Sequence, residues 1–144
     1  HDLAVRFSRC CNPVPGDEIV GFVTRGRGVS IHRTDCINVI NLPEDERGRL
    51  IDAEWQVAEN STSTEQYSTE IQIFANNRIG LFADISKVFT EKQIDITSMN
   101  VRTSKQGRAT IIMTFDIHGT EELNRITDKI RQIDGVLDIQ RTTG

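Results

Sequence analysis

Residues 109–117, Ala-Thr-Ile-Ile-Met-Thr-Phe-Asp-Ile, decide the fold of this chain. Ala109, Ile111, Met113, Phe115 and Ile117 take every second position, the repeat of a strand with one face against a core. Upstream, Thr69, Ile71, Ile73 and Ala75 show the same alternation. Between these stretches Leu81, Ile85, Val88 and Phe89, joined by Phe82, are spaced as one face of a helix. Ile94 and Ile96, then Met99 and Val101, change face across Thr97-Ser98, which predicts a bulged strand. Lys105-Gln106-Gly107-Arg108 reads as a hairpin turn. Downstream, Thr120 is placed as the cap of a helix whose first turn holds Glu121 and Glu122, favourable against its dipole. Leu123, Ile126, Ile130 and Ile133 form its apolar face, Gly135 ends it, and Val136 to Arg141 is a last strand.

Strand, helix, strand, strand, helix, strand is the split βαβ, ferredoxin-like order, with both helices on one face of an antiparallel sheet. Its other face, carrying Ile112 with Met99 and Val101, needs a cover from a second copy or from the rest of the chain. The rest is shorter-stranded. Residues 3–7 alternate Leu3, Val5 and Phe7, and Asn12-Pro13-Val14-Pro15-Gly16-Asp17 is dense turn chemistry. Residues 19–24 and 29–31 read as strands about a tight Arg25-Gly26-Arg27-Gly28 connection. Thr34 and Asp35 are placed as the cap of a short helix through Val39 or Ile40, and residues 50–57 as a closing strand. The fold class is α+β: a small strand-rich α/β domain over 1–57, a linker over 58–66 without large apolar side chains, and the ferredoxin-like βαββαβ domain over 67–144.

Among the 144 residues, 37% are hydrophobic and 26% charged, the balance of a globular chain and not a disordered one. No apolar run reaches the roughly 18 residues of a membrane span. The first residue is His1, not Met, which reads as a piece of a longer protein. A net charge of −4 argues against a nucleic-acid coat over the whole surface. The acidity is local, however: residues 44–70 hold two Arg against eight acids, whereas residues 1–36 hold five cations, all Arg, against four acids. Arg is the planar, multi-donor residue that matches phosphate and carboxylate forks.

Cys10, Cys11 and Cys36 are a poor disulfide framework, being odd in number with one adjacent pair, and fit a reducing, cytoplasmic setting. With His32 they make a tetrahedral zinc set in kind and number. His32-x-x-x-Cys36 has ordinary finger spacing. Adjacent thiols point to opposite faces of an extended strand, so Cys10 and Cys11 share one ion only if the chain turns there, as Asn12-Pro13 would permit. The set reads alternatively as two buried thiols, one exposed thiol and a surface His, or as a thiol nucleophile with a base, for which Asp35 is the one orienting carboxylate in view. The Arg25–Gly28 stretch, with Arg6, Arg9 and Arg33 nearby, reads as an RNA phosphate clamp or as a solvated hairpin turn. Asn76-Asn77-Arg78-Ile79-Gly80-Leu81-Phe82 runs into a helix start whose free N–H groups suit a carboxylate, as an amino-acid effector would supply. His118, Ser98 and Thr97 read as structural.

Residues 6–17, Arg-Phe-Ser-Arg-Cys-Cys-Asn-Pro-Val-Pro-Gly-Asp, and 21–38, Gly-Phe-Val-Thr-Arg-Gly-Arg-Gly-Val-Ser-Ile-His-Arg-Thr-Asp-Cys-Ile-Asn, resemble the C-terminal regulatory region of the long RelA/SpoT homologues. Those are ribosome-associated enzymes that make and degrade (p)ppGpp in the stringent response. The likeness continues through the second half, which resembles their terminal ACT domain. The resemblance implies that the first domain, a zinc-finger or ribosome-inter-subunit domain, docks on ribosomal RNA, for which the clamp residues Arg6, Arg9, Arg25, Arg27 and Arg33 are the candidate contacts. It places Cys10, Cys11, His32 and Cys36 on zinc positions, with Ile37 departing from the Pro common after the last. It implies that the ACT half forms a homodimer and senses a ligand, a branched-chain amino acid being the expected one, through Asn77, Arg78, Ile79, Gly80, Leu81 and Phe82. There Asn77 replaces the usual Asp while Arg78, Gly80 and Leu81 match. Catalytic residues are expected elsewhere in the parent GTP pyrophosphokinase, so no catalysis is expected of this stretch. The alternatives are a homodimeric amino-acid sensor with the first domain as a structural lid, and a stand-alone zinc or thiol enzyme.

Overall fold

The alternation at 69–75 and 109–117 becomes two long neighbouring strands, and the second half of the chain is built around them. The structure, a computed structural model, describes residues 4–26, 28–56 and 65–142. In the second unit the elements are β5 (Tyr67–Asn76), α2 (Leu81–Glu91), β6 (Ile96–Thr103), β7 (Arg108–Ile117), α3 (Thr120–Arg131) and β8 (Val136–Arg141), with sheet order β6-β7-β5-β8. Every pairing is antiparallel, and the register shifts between Ile96 and Ser98, where the change of face predicts a bulge. One sheet face, with Ile71, Ile73, Ile111, Met113, Phe115 and Ile117 fully buried, packs against Leu81, Ile85 and Phe89 of α2 and Leu123, Ile126 and Ile130 of α3. Phe89 meets Phe115 edge-on at 4.8 Å between centroids, a geometry that adds to plain area burial.

Two sequence expectations change here. Met99 and Val101 pair with Met113 and Ile111, which puts them on the helix-covered face; they stay partly exposed because β6 is the edge strand, at the rim of the helix layer. Thr120 is the first helical residue and not the cap. Gly119 takes the cap position, and the Thr120 N–H donates to Pro15 O at 2.8 Å, a partner more than a hundred residues away in sequence. Glu122 accepts from the His118 N–H at 2.7 Å and so closes the helix start from its third position.

The first unit comprises β1 (Ala4–Phe7), β2 (Ile19–Val23), β3 (Gly28–Arg33), α1 (Ile37–Ile40), a 3-10 segment (Glu44–Arg49) and β4 (Leu50–Asp52). Its sheet order is β1-β3-β2-β4, with β1 and β3 parallel. Cys36, not Thr34 or Asp35, precedes α1, and no side chain caps that helix. The predicted strand over 50–57 ends at Asp52, because Trp55 is drawn into a cluster with Phe7 and Tyr67. Leu3, Val57, Arg27 and most of the expected linker 58–66 lie outside the described residues.

The two units dock through the Pro-rich turn. Val14, fully buried, joins the core of the second unit. Asp17 receives Arg141 in a fork, Nη1 at 2.7 Å and Nη2 at 3.0 Å, and Arg141 Nη2 also donates to Asn12 O at 3.1 Å. Trp55 stacks on Phe7 at 5.4 Å and meets Tyr67 edge-on at 5.5 Å, while its Nε1–H donates to Asp17 O at 3.0 Å. The first unit therefore meets the end of the second sheet and the start of α3, leaving the outer face with Ile112 open. Among the described residues no helix is long and apolar enough to cross a membrane.

Candidate metal centre

Between β1 and the Pro-rich turn the chain reverses. Asn12 N–H donates to Ser8 O at 3.0 Å, and Asn12 adopts a left-handed φ of 49°, a conformation Asn tolerates better than most residues. This is the turn that adjacent thiols need. It brings Cys10 and Cys11 to one side, against His32 near the end of β3 and Cys36 at the start of α1. Their ligand atoms all lie within 4.8 Å of one another. Cys10 Sγ is 3.4 Å from Cys36 Sγ, 3.4 Å from His32 Nδ1 and 4.0 Å from Cys11 Sγ; Cys11 Sγ is 3.9 Å from His32 Nδ1. A tetrahedral zinc with bonds of about 2.3 Å to sulfur and about 2.0 Å to nitrogen spaces its ligand atoms about 3.5–3.8 Å apart. The donor set and its spacing fit such an ion.

The surrounding bonds suit ligation as well. His32 Nε2 lies 3.0 Å from Ser30 Oγ, so Nε2–H can donate there and Nδ1 keeps its lone pair toward the sulfurs. The Arg33 N–H donates to Cys11 Sγ at 3.3 Å, and Ser8 Oγ lies 2.9 Å from Cys10 Sγ. Burial pushes the Cys11 thiol up to about 12 and raises Cys36, where the hydrogen bond to Cys10 acts in the same direction. Burial also pushes Cys10 upward, but hydrogen bonds from Ser8, Asn38, Cys36 and Cys11 outweigh it and hold that thiol below its ordinary value. Burial lowers His32 and keeps its imidazole neutral. A divalent cation inverts the cost of burying thiolates, and the neutral imidazole is the ligating form. A thiol nucleophile would need an orienting carboxylate on His32. Asp35 is turned to Arg33 instead, and His32 meets Ser30.

The arginines separate. Arg6 and Arg9 are exposed along and just beyond the edge strand β1. Arg25, with its side chain 78% exposed, sits in the turn before β3 and reaches Glu46 at 3.2 Å. Ala4 pairs with Gly28, so this turn lies beside the start of β1. Arg27 lies outside the described residues. Arg33 departs from the expected RNA-facing set: it is 7% exposed, and its guanidinium is consumed by Cys11 O at 3.3 Å, Thr142 O at 3.1 Å and the Asp35 carboxylate. The sequence carried a signal for this, since Val29, Ile31 and Arg33 share one strand parity and all three are buried. Ser8, Ser30 and the Arg33 backbone N–H, which support the ligands, were not singled out by sequence, because small polar residues carry no spacing signature.

The helix-start loop of the second unit is tied internally. Arg78 donates to Asp134 O at 2.8 Å, Ile79 O at 3.1 Å and Asp84 Oδ2 at 2.8 Å. Asn77 N–H donates to Gly107 O at 2.7 Å, Leu81 is buried and Phe82 half-buried. Gly80 takes a left-handed φ of 85°, and Ile79 projects almost fully into solvent.

Comparison with known proteins places both units. Residues 1–56 match the RelA/SpoT RIS domain family and residues 63–141 the ACT domain family. The GTP pyrophosphokinase of Streptomyces coelicolor is 38% identical over 142 residues, covering 99% of this chain and 16% of that protein. The Escherichia coli K12 GTP pyrophosphokinase is 37% identical over 144 residues, covering 99% of this chain and 19% of that protein. The bifunctional (p)ppGpp synthase/hydrolase RelA of Mycobacterium tuberculosis is 36% identical over 141 residues, covering 98% and 18%. The chain thus spans less than a fifth of the length of these relatives. Among solved structures, the ACT domain from the Chlorobium tepidum GTP pyrophosphokinase superposes with a TM-score of 0.49 at 22% identity, covering 54% of this chain and 99% of that one.

Proposed function

The chain belongs to the RelA/SpoT family, as the region that joins its RIS and ACT domains, and from that premise we propose that it is a non-catalytic regulatory module that docks on ribosomal RNA and holds a structural zinc ion. The observation that carries the reading is the four-ligand cluster set beside an arginine-lined strand edge. Cys10, Cys11, His32 and Cys36 would hold the ion, which supplies a rigid crosslink between the turn after β1, the end of β3 and α1. Arg9 adjoins the first ligand directly, so the crosslink fixes the backbone that presents it. Arg6 and Arg9 then stand along and just beyond the β1 edge of the sheet as exposed multi-donor cations, the kind of group that positions a protein on phosphates without reading bases, and Arg25 adds a third exposed cation in the turn before β3, where it also reaches Glu46. Arg33 has no part in that contact. Its role is to hold the metal turn to the ACT unit.

The test is binding of the chain to a ribosomal RNA fragment across a salt series. Each phosphate contact on single-stranded RNA adds about 0.7 to the slope of log affinity against log salt. The Arg6→Ala, Arg9→Ala double variant should lower that slope by about 1.4, with the fold retained. An unchanged slope would remove β1 as the RNA-facing edge. An amino-acid-sensing homodimer draws less support, because Arg78 already satisfies internal acceptors and leaves a carboxylate ligand only backbone N–H groups at the start of α2. Calorimetry with valine at millimolar concentration decides that alternative.

A further inference from the structure

One short segment belongs to both the metal cluster and the docking interface. Cys10 and Cys11 are ligands in the cluster, and residues 12–17 of the same turn are the part that seats in the ACT unit. No independent segment lies between them. The turn is also closed on itself: Val14 N–H donates to Asp17 Oδ2 at 2.8 Å, and Asp17 N–H donates to Val14 O at 3.0 Å. Arg33, directly after His32, spans the same gap. Its backbone N–H donates to Cys11 Sγ, while its Nη1 donates both to Cys11 O at 3.3 Å and to Thr142 O at 3.1 Å, beyond the end of β8. From the other side, Arg141 Nη2 reaches Asn12 O at 3.1 Å. The carbonyls of residues 11 and 12, which define the turn between the paired thiols and the plug, thus receive donors from a guanidinium on each side of the interface.

We propose that metal occupancy and docking of the ACT unit are two faces of one equilibrium, with the 10–17 turn and Arg33 as the shared element. The proposal rests on the zinc reading above. An ion bound by Cys10, Cys11, His32 and Cys36 fixes the turn in the shape that presents Val14 and Asp17. The docked ACT unit, through Arg141 and Thr142 O, holds the same turn in the shape that brings both thiols to one side. Linkage makes the coupling reciprocal: whatever factor the ion adds to docking, docking adds to the affinity for the ion. The chain carries its own reporter, since its single Trp, Trp55, lies between Phe7 of the first unit and Tyr67 of the ACT unit.

The experiment uses the whole chain and zinc itself. Zinc affinity is measured by competition with a chromophoric chelator, and docking by Trp55 emission. Two variants on the ACT side leave every ligand untouched. Arg141→Ala removes the fork to Asp17, and Gly119→Ala puts a Cβ 2.8 Å from Pro15 O at a residue whose extended backbone any side chain can adopt. Stripping zinc from the natural chain should change Trp55 emission, and re-adding it should restore the emission. Both variants should bind zinc at least fivefold more weakly, the lower end of ordinary coupling factors. Unaltered emission on zinc removal overturns the proposal. So does a variant whose Trp55 reports an undocked ACT unit while zinc binds as tightly as to the natural chain. A natural chain that takes up no zinc at all overturns the metal reading, and the coupling with it, and is distinguished by the zinc titration alone.

Discussion

Replacing Val14 by Ala tests whether the Pro-rich turn is a docking plug or simply part of the ACT core. Val14 is fully buried and belongs to the second unit's core cluster, although it lies in the first unit's chain segment. The change removes two carbons, about 1.6 kcal/mol of transfer free energy at about 0.8 kcal/mol each. A residual cavity of roughly 45 Å³ adds about 1 kcal/mol at about 24 cal/mol per Å³ if the site does not collapse. The total, about 2–3 kcal/mol, should fall on docking, because in the undocked chain Val14 leaves the cluster in either form. That corresponds to a roughly 30- to 150-fold loss in the docked fraction relative to the undocked. The assay is amide hydrogen exchange at Thr120, whose N–H donates to Pro15 O across the interface. Its exchange should quicken by that factor, while amides of Ile111 and Met113 in β7 keep their protection. Equal loss of protection at Thr120 and in β7 would show that Val14 stabilises the ACT fold itself, and an unaltered Thr120 rate would show that the plug contributes nothing; either result refutes the reasoning.

Asp17→Asn leaves the Arg141 cation largely buried against an uncharged partner, the two side chains being 17% and 9% exposed, and should cost about 3 kcal/mol in urea unfolding. Gly135→Ala sets a side chain at φ 101° with its Cβ 3.0 Å from Asn76 O, so it should destabilise the ACT unit by more than about 1 kcal/mol, read as a lower Tm. Chelation of zinc should abolish amide protection in β2 and β3 while β5 and β7 stay protected, because structural zinc contributes directly to the folding of small domains. Simultaneous loss in both units would mean that they unfold as one body.

How far the sequence could be read depends on whether a residue's partner is local. The strands at 69–75 and 109–117 were legible because period-2 alternation is set by the strand's own geometry. The bulge at Thr97-Ser98 was legible for the same reason, since an extra residue leaves a visible change of parity. Thr120 misled because its N–H partner is Pro15, and no rule of helix caps anticipates an acceptor so distant in the chain. Trp55 was assigned to a strand face on alternation, whereas its ring is claimed by Phe7 and Tyr67, one from each unit. The metal set is legible by residue kind and by the His32-x-x-x-Cys36 spacing, but not by the adjacent thiols, which are united by the turn that the Asn12 N–H closes on Ser8 O. Arg25 and Arg33 are the same residue type eight positions apart, yet one is in solvent and the other buried. Arg25 stands in the turn before β3, whereas Arg33 lies within the strand on the buried face of Val29 and Ile31; composition alone does not tell them apart.

Trp55 and Tyr67 touch across the interface with ring centroids 5.5 Å apart, so the chain leaves one unit and enters the other at nearly the same place. Both points are pinned by other contacts. The orientation of the two units is therefore inherited from the plug, the fork and the aromatic cluster, and a change at any of the three would swing one unit against the other.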